Sequence, residues 1–273
     1  MTMTTQPATA TNEAVVAATA AAPSAVPMVG FRGVGKTYPK QALPVLEGID
    51  LELREGEVVA LIGPSGCGKS TLLNILAGLT DVSTGTVDLA RSDLRSAYVF
   101  QNPRLLPWRS VLKNVEFALE QIGVPAEERR RRAIAALETV HLGEHLDKYP
   151  NQLSGGMQQR AALARGIAIE PTLLLLDEPL GALDALTRSY LQEELLRIIG
   201  QLKTTTLLVT HDIDEAILLA DRVVVLSSRP ARIRTVFEVP FGTGRSLDTI
   251  ISDPRFGVLR HEIRELLRPE VAA

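Results

Sequence analysis

The sequence is poor in cysteine, with Cys67 as its only one. A single cysteine cannot form an intramolecular disulfide or a multi-cysteine zinc site, so we expect the protein to work in a reducing compartment. The chain also has no uninterrupted apolar run close to the roughly 20 residues that a membrane-spanning helix needs. If the protein works at a membrane, another chain must therefore hold it there.

An excess of basic charge is also missing, because the formal net charge is -3. A sequence-independent nucleic-acid binder needs a dominant basic field, so we expect no nucleic-acid partner and only a local site for any anion. Residues 1–27 are mostly Ala, Thr and Pro, with Glu13 as their only charge, and no Lys or Arg precedes Arg32. A secretory signal starts with basic residues, so this segment is predicted to be a disordered tail and not an export signal.

What the sequence does contain is a pattern of short strands and helices typical of an α/β fold. Residues 49–63 predict two strands around a Glu55-Gly56 turn, and the second strand leads into a glycine-rich loop and a helix that ends near Gly78. Residues 172–179 and 205–212 contain short, continuous apolar runs bounded by polar residues. Such runs are typical of parallel strands covered on both faces.

Two further regions have a different pattern. Between Gln101 and Ser154 the apolar residues recur with helical spacing, which predicts an α-helical subdomain inserted into the sheet. Within it, the Glu127 to Arg132 run is more typical of a solvated helix face than of a site for an acidic partner. Towards the end of the chain we predict a hairpin about Arg229-Pro230 and an amphipathic helix over residues 258–268.

The glycine-rich loop matches a phosphate-binding motif. Gly63 to Ser70 fit G-x-x-x-x-G-K-[ST], in which glycines let backbone N–H groups turn inward around phosphate oxygens at the positive end of the next helix. Lys69 supplies a charge for the β- and γ-phosphates, Ser70 offers a hydroxyl to Mg²⁺, and Thr71 either caps the first helical turn or contacts the α-phosphate. Cys67 is expected to contribute its backbone and not a nucleophile. The predicted nucleotide-binding residues here are Gly63, Pro64, Ser65, Gly66, Cys67, Gly68, Lys69, Ser70 and Thr71.

Two other strands end in side chains suited to this chemistry. Asp177 can hold hydrated Mg²⁺, and Glu178 can accept a proton from attacking water or orient it. Taken alone, the adjacent carboxylates could instead cap the next helix. His211 follows the other apolar run and would reach a γ-phosphate, although a lone histidine in that place is more often structural.

A second anion site is predicted at residues 153–160, LSGGMQQR. Ser154 and two glycines precede a helix that continues through Arg165, so they place exposed amides and a capping hydroxyl at a helix N-terminus. As an isolated string this would more often be a plain helix cap. The residues of this stretch assigned to the nucleotide are Ser154, Gly155, Gly156 and Gln158.

These motifs together carry a family resemblance. The glycine-rich loop, Gln101, residues 153–160, Asp177-Glu178, a GALD string ending at Asp184, and His211 follow one another as in the ATPase subunits of ABC transporters, which the chain resembles over roughly residues 28–240. The resemblance implies a P-loop NTPase fold with a mixed sheet core, an N-terminal antiparallel β-subdomain and a helical subdomain at about residues 102–153. It also implies ATP hydrolysis, with ATP and Mg²⁺ as cofactors.

The resemblance further implies a head-to-tail homodimer. ATP would lie between the glycine-rich loop of one copy and the Ser154 to Gly156 segment of the other. Tyr38 resembles the adenine-stacking aromatic of the family, although a tyrosine near a strand end is often core packing. Gln101 resembles the residue that links Mg²⁺ and water to the helical subdomain, and Asp184 would lie at the dimer seam or cap a helix.

The segment from Gln101 to Trp108 is similar to that of the nitrate, sulfonate, taurine and bicarbonate importer group. This similarity implies an ATPase at the cytoplasmic face of the inner membrane, working with an integral membrane permease and an external solute-binding protein on a small anion such as nitrate, sulfonate or taurine. Trp108 would dock the permease or pack in the subdomain core. Residues 241–273 resemble the short C-terminal extension of that group.

Two other functions use the same ATPase. One is an exporter or lipid-handling complex, and the other is a soluble ABC ATPase of translation or DNA repair. The sequence lacks a second glycine-rich phosphate loop, a long coiled-coil insertion and cysteine clusters for zinc, so the soluble alternative is the less favoured.

Overall fold

The structure is a computed structural model that describes residues 27–39, 41–91, 94–181, 185–242 and 246–271. Apart from Pro27, which begins the first strand, the predicted N-terminal tail lies outside the described residues. The strands are β1 Pro27–Lys36, β2 Leu46–Arg54, β3 Val58–Ile62, β4 Thr84–Leu89, β5 Ser96–Val99, β6 Leu173–Asp177, β7 Thr205–Val209, β8 Arg222–Leu226 and β9 Ile233–Glu238. The helices are α1 Lys69–Leu76, α2 Val111–Gln121, α3 Ala126–Thr139, α4 Gly155–Ile167, α5 Ala185–Leu202, α6 Ile213–Leu219, α7 Leu247–Ile251 and α8 Pro254–Val271.

A six-stranded sheet in the order β5-β6-β7-β3-β8-β9 forms the centre of the fold. Its first five strands are parallel, and β9 is antiparallel to β8. Strands β3, β7 and β8 are buried along their whole length, as the continuous apolar runs predict. The carboxyl ends of β6, β7 and β3 therefore lie side by side, which is where parallel sheets present their chemistry.

A smaller antiparallel sheet, in the order β2-β1-β4, packs on one face of the central sheet. The two strands predicted around Glu55-Gly56 are confirmed, but they lie in different sheets, β2 in the small one and β3 in the central one. Side chains alternate along β3, so Val59 and Leu61 pack in the core beside the small sheet and α1. Ala60 and Ile62 pack in the second core on the opposite face.

Residues 101–154 contain helices and no strand, as predicted: α2, α3 and two short 3₁₀ turns at Gly143–His145 and Pro150–Gln152. Helices α2 and α3 pack with α4. The arginine run of α3 is only partly a solvated face: the side chains of Arg130 and Arg131 are exposed, whereas that of Arg129 is largely buried near Glu120 of α2.

The C-terminal segment packs on the central sheet through α8. The predicted hairpin is formed by β8 and β9, and the predicted terminal helix by α8. Phe256, Leu259 and Ile263 of α8 are buried in the same core as α6 and β8. Arg260 also lies 2.9 Å from Asp214 of α6. Within the described part of the chain, no helix is long and apolar enough to cross a membrane.

Candidate active site

The loop between β3 and α1 has a backbone shape that depends on glycine. Gly66 and Gly68 have φ angles of 73° and 130°, which L side chains rarely adopt. A Cβ on Gly68 would also lie 2.8 Å from Leu46 Cδ2. These two glycines let the chain curl back on itself at the N-terminus of α1, in the arrangement that binds phosphates in other proteins.

Lys69 places its ammonium group inside this loop. The side chain is buried, and its Nζ donates to the carbonyl oxygens of Gly63 at 2.8 Å and Pro64 at 3.1 Å. No side chain caps the N-terminus of α1, so the capping alternative for Thr71 is wrong, and its contact with the α-phosphate stays a prediction. Burial raises the pKa of the Cys67 thiol, which keeps it protonated and agrees with a purely backbone contribution. The loop thus combines one positive charge with the positive end of a helix.

Asp177, at the end of β6, is held by two hydroxyl groups. Ser70 Oγ donates to its Oδ1 at 2.9 Å, and the Tyr98 hydroxyl donates to its Oδ2 at 3.2 Å. Burial raises the pKa of the Asp177 carboxyl, with the charge of Glu178 adding to the effect. Sequence reasoning missed Tyr98, although its place in a strand that leads directly to Gln101 was a signal that it lies at the same sheet edge.

The side chain of Glu178 lies beside two other predicted catalytic residues, Gln101 and His211. Gln101 Nε2 donates to its Oε2 at 2.7 Å, and His211 Nδ1 lies 3.4 Å from the same oxygen. Its backbone has a φ of 44°, a left-handed conformation that is uncommon for glutamate and that turns the chain sharply at the end of β6. The backbone N–H of Glu178 donates to Val209 O, which ties it to β7. The structure therefore brings together three of the four predicted catalytic residues, Gln101, Glu178 and His211.

The donor atoms fit a magnesium ion bound mainly through nucleotide phosphates. Among the described residues, no group of three or more His, Cys, Asp and Glu could hold a metal alone. The Ser70 hydroxyl and the half-buried Asp177 carboxylate are hard oxygen donors, and they lie next to each other, with Ser70 Oγ 2.9 Å from Asp177 Oδ1. Mg²⁺ commonly binds through one or two carboxylates together with phosphates and water.

The second predicted anion site is separate from the first. Ser154 is the N-cap of α4, and its Oγ accepts from Met157 N at 3.3 Å. Gln158 donates to the carbonyls of Pro150 and Leu153 and so fixes the chain ahead of the helix. Ser154 and Gly155 are exposed. Within the described residues, no hydrogen bond or ion pair joins Ser154–Gly156 to residues 63–71.

Helix α4 is bonded to the segment around Gln101, whose side chain donates to Glu178. Its Arg165 donates to the carbonyl oxygens of Pro103 and Arg104, both at 2.9 Å, and Gln159 donates to Phe100 O at 3.4 Å. These bonds hold both sides of Gln101 against α4.

Two more residues are assigned to the nucleotide from the sequence, Tyr38 and Asp184. Tyr38 is half-buried against the core of the small sheet, with Lys36 Nζ 5.0 Å from its ring centroid, so core packing accounts for part of its surface and adenine stacking stays a prediction. Asp184 lies outside the described residues. Trp108 is 72% exposed, so the core-packing alternative for this residue is wrong.

Comparisons with known proteins agree with this geometry. The family described as ABC transporter matches residues 46–181. The nitrate import ATP-binding protein NrtD of Synechococcus elongatus is 44% identical over 247 residues, which cover 87% of this chain and 90% of that protein. The bicarbonate transport ATP-binding protein CmpC of Synechocystis sp. is 47% identical over 226 residues, which cover 80% of this chain but only 34% of that longer protein.

Among solved structures, a dimeric post-hydrolysis state of the ATP-binding cassette MJ0796, bound to ADP and Pi, is 32% identical and has a TM-score of 0.69. The match covers 79% of this chain and 100% of that one. The fold is thus that of a known ATP-binding cassette. The extent of the identity to NrtD is decisive: the chain belongs to the ABC transporter family, as one of its ATPase subunits.

Proposed function

We propose that this chain powers an importer that takes up a small anion such as nitrate, sulfonate or taurine through a separate membrane permease. The observation that carries this proposal is the 44% identity to a nitrate import ATP-binding protein over 90% of that protein. The bicarbonate transport relative adds a second small anion to the candidates. An external solute-binding protein would deliver the solute, and the ATPase would lie on the cytoplasmic face.

In the proposed mechanism, the loop of residues 63–71 binds the ATP phosphates through its amides and Lys69. Ser70 and Asp177, together with Gln101, would hold Mg²⁺, which would supply positive charge to offset that of the phosphates. Glu178 orients a water molecule and takes its proton as the water oxygen attacks the γ-phosphorus. The bond to the bridging oxygen breaks, and ADP and phosphate are the products. His211, beside Glu178, contacts the γ-phosphoryl group.

Two copies are needed for the complete site. The helix N-terminus at Ser154 is exposed, and within the part of the chain that the structure describes no hydrogen bond or ion pair joins it to the phosphate loop. This supports a head-to-tail arrangement in which each copy completes the site of the other. The intact γ-phosphate would bind both half-sites and favour closure, and hydrolysis would remove this differential attraction. The bonds from α4 to the residues around Gln101 would carry the change to the permease side.

The solute can be tested in a strain that lacks this chain. Uptake of labelled nitrate, bicarbonate, taurine and an alkyl sulfonate should be compared between the deletion strain, the complemented strain and a strain complemented with a Glu178→Gln variant. We expect uptake of one anion to fall to background in the deletion and variant strains. Uptake of all four anions in the deletion strain equal to that in the complemented strain would reject the importer assignment, provided that the purified wild-type chain hydrolyses ATP.

Trp108 is predicted to contact the permease. Its turn is rigid because Asn114 accepts from Leu106 N at 2.7 Å and donates to Leu106 O and Arg109 O at 3.1 and 3.0 Å. A large, exposed aromatic on such a turn is typical of interface hot spots, whose truncation costs about 2 kcal/mol or more. We expect Trp108→Ala to weaken association with the permease by about 30-fold.

The control for this experiment is Ile122→Ala, which removes another exposed apolar side chain at the end of α2. Permease binding is measured in detergent, and ATPase activity of the isolated subunit is measured alongside. Equal permease affinity of Trp108→Ala and wild type would contradict the docking role.

A further inference from the structure

Helix α6 begins two residues after His211, and its first turn contains a buried carboxyl that the mechanism above does not use. Glu215 is only 3% exposed. Its Oε2 accepts a hydrogen bond from Thr210 Oγ1 at 2.5 Å, whereas its Oε1 is buried with no hydrogen-bond partner in the part of the chain that the structure describes. An unsatisfied buried polar atom costs about 1–3 kcal/mol, so a carboxyl in this position requires an explanation.

The bond between Thr210 and Glu215 connects the two sides of His211. Thr210 Oγ1 also accepts from Asp212 N at 3.1 Å, and Asp212 Oδ1 caps α6 by accepting from Glu215 N at 3.1 Å. These hydrogen bonds join Thr210, Asp212 and Glu215 to one another, so the residues on both sides of His211 are held in place. Thr210 N in turn donates to Leu61 O at the end of β3, so this group is attached to the strand that enters the phosphate loop.

Three charged groups act on Glu215 from the elements around it. Asp212 belongs to the same turn, Glu178 follows β6, and Arg188 lies on α5, where its Nη1 is 3.9 Å from Asp212 Oδ2. Burial raises the pKa of Glu215 to about 7, with Asp212 and Glu178 adding to the rise and the Thr210 bond and Arg188 opposing it. Glu215 is thus electrostatically coupled to Glu178, which His211 contacts directly.

We propose that Glu215 is a positioning residue for His211, acting through the Thr210 hydroxyl to keep the imidazole beside Glu178. The inference rests on the proposed roles of Glu178 and His211. An apolar residue at position 215 would fill the space, but it would offer no acceptor to Thr210, whose hydroxyl is buried too. The loop would then be free to move His211 away from the 3.4 Å contact with Glu178.

The test is a set of substitutions read by steady-state ATPase kinetics. Glu215→Ala and Thr210→Val should lower kcat by about tenfold, because small displacements of catalytic groups have large effects on rate, while KM for ATP stays within about twofold. Glu215→Gln should keep kcat within about threefold of wild type, since its amide oxygen still accepts from Thr210. If Glu215→Ala does not fold, the Thr210→Val and Glu215→Gln pair carries the test.

A double-mutant cycle separates positioning from general stability. In a His211→Ala background, Glu215→Ala should cause no further loss of kcat, because its effect passes through the missing imidazole. The matched control is Glu57→Gln, a buried carboxyl at the amino end of β3 whose partner is Arg222 at 3.0 Å. This variant should lower the melting temperature and leave kcat unchanged.

Three results would overturn the inference. The first is a Glu215→Ala protein with a lowered melting temperature and a wild-type kcat. The second is a loss of kcat from Glu215→Ala that is equally large in the His211→Ala background, which rejects the positioning role and leaves the proposed function standing. The third is wild-type turnover by His211→Ala itself, which rejects the role of His211 together with the inference.

Discussion

Replacing Glu178 with glutamine is expected to lower kcat for ATP hydrolysis by about 10²- to 10⁴-fold, the range found for loss of a general base. The amide cannot take a proton from water, but it has nearly the same shape as the carboxylate. Its oxygen can still accept from Gln101 Nε2, which donates at 2.7 Å in the wild type. ATP-dependent association of two copies should therefore persist or become more stable.

Phosphate release measures the first effect, and sedimentation with Mg²⁺ and ATP measures the second. The control is Glu194→Gln on α5, which removes another buried carboxylate charge, one that pairs with Arg197 and lies 3.1 Å from His141 Nε2. This variant should keep its turnover. Rapid hydrolysis by Glu178→Gln would refute Glu178 as the principal catalytic group. Failure of two copies to associate with a non-cleavable triphosphate, even with the permease present, would refute the composite site.

Replacing Lys69 with alanine is expected to weaken ATP binding by about 2–5 kcal/mol, the usual cost of truncating one partner of a buried charge pair. Lys69 is only 6% exposed in the wild type, so the attraction of its charge to phosphate is weakly screened. No other lysine lies in the phosphate loop of residues 63–71. Isothermal titration calorimetry should thus show an increase in Kd of about 30-fold or more.

Lys69 also stabilises the loop itself, since it donates to Gly63 and Pro64. The melting temperature without nucleotide should be measured for the variant, to separate a misfolded loop from a lost phosphate contact. Lys113→Ala is the control, because it removes an exposed cation that pairs with Glu116 on α2. Unchanged ATP affinity in Lys69→Ala would count decisively against the assigned phosphate site.

Much of the fold followed from local patterns. The buried strands β3, β6 and β7, the helical block after Gln101 and the terminal helix all appear where apolar spacing placed them. The capping alternative for Thr71 was wrong, because Gly68 occupies the N-cap position of α1 and no side chain bonds to the first turn. Trp108 could not be assigned from sequence, because exposed interface aromatics and buried core aromatics have the same apolar neighbours.

The sequence by itself determined the phosphate loop, because its chemistry lies in contiguous residues: glycines for left-handed φ angles, a lysine, and a helix start. It also determined that two carboxylates and a histidine follow two of the apolar strands. Only the tertiary structure decided which of these meet. The strand order β5-β6-β7-β3 brings Tyr98 to Asp177 and Gln101 to Glu178, across separations of 79 and 77 residues. Contacts so distant depend on the pairing of strands, which no local pattern of residues encodes.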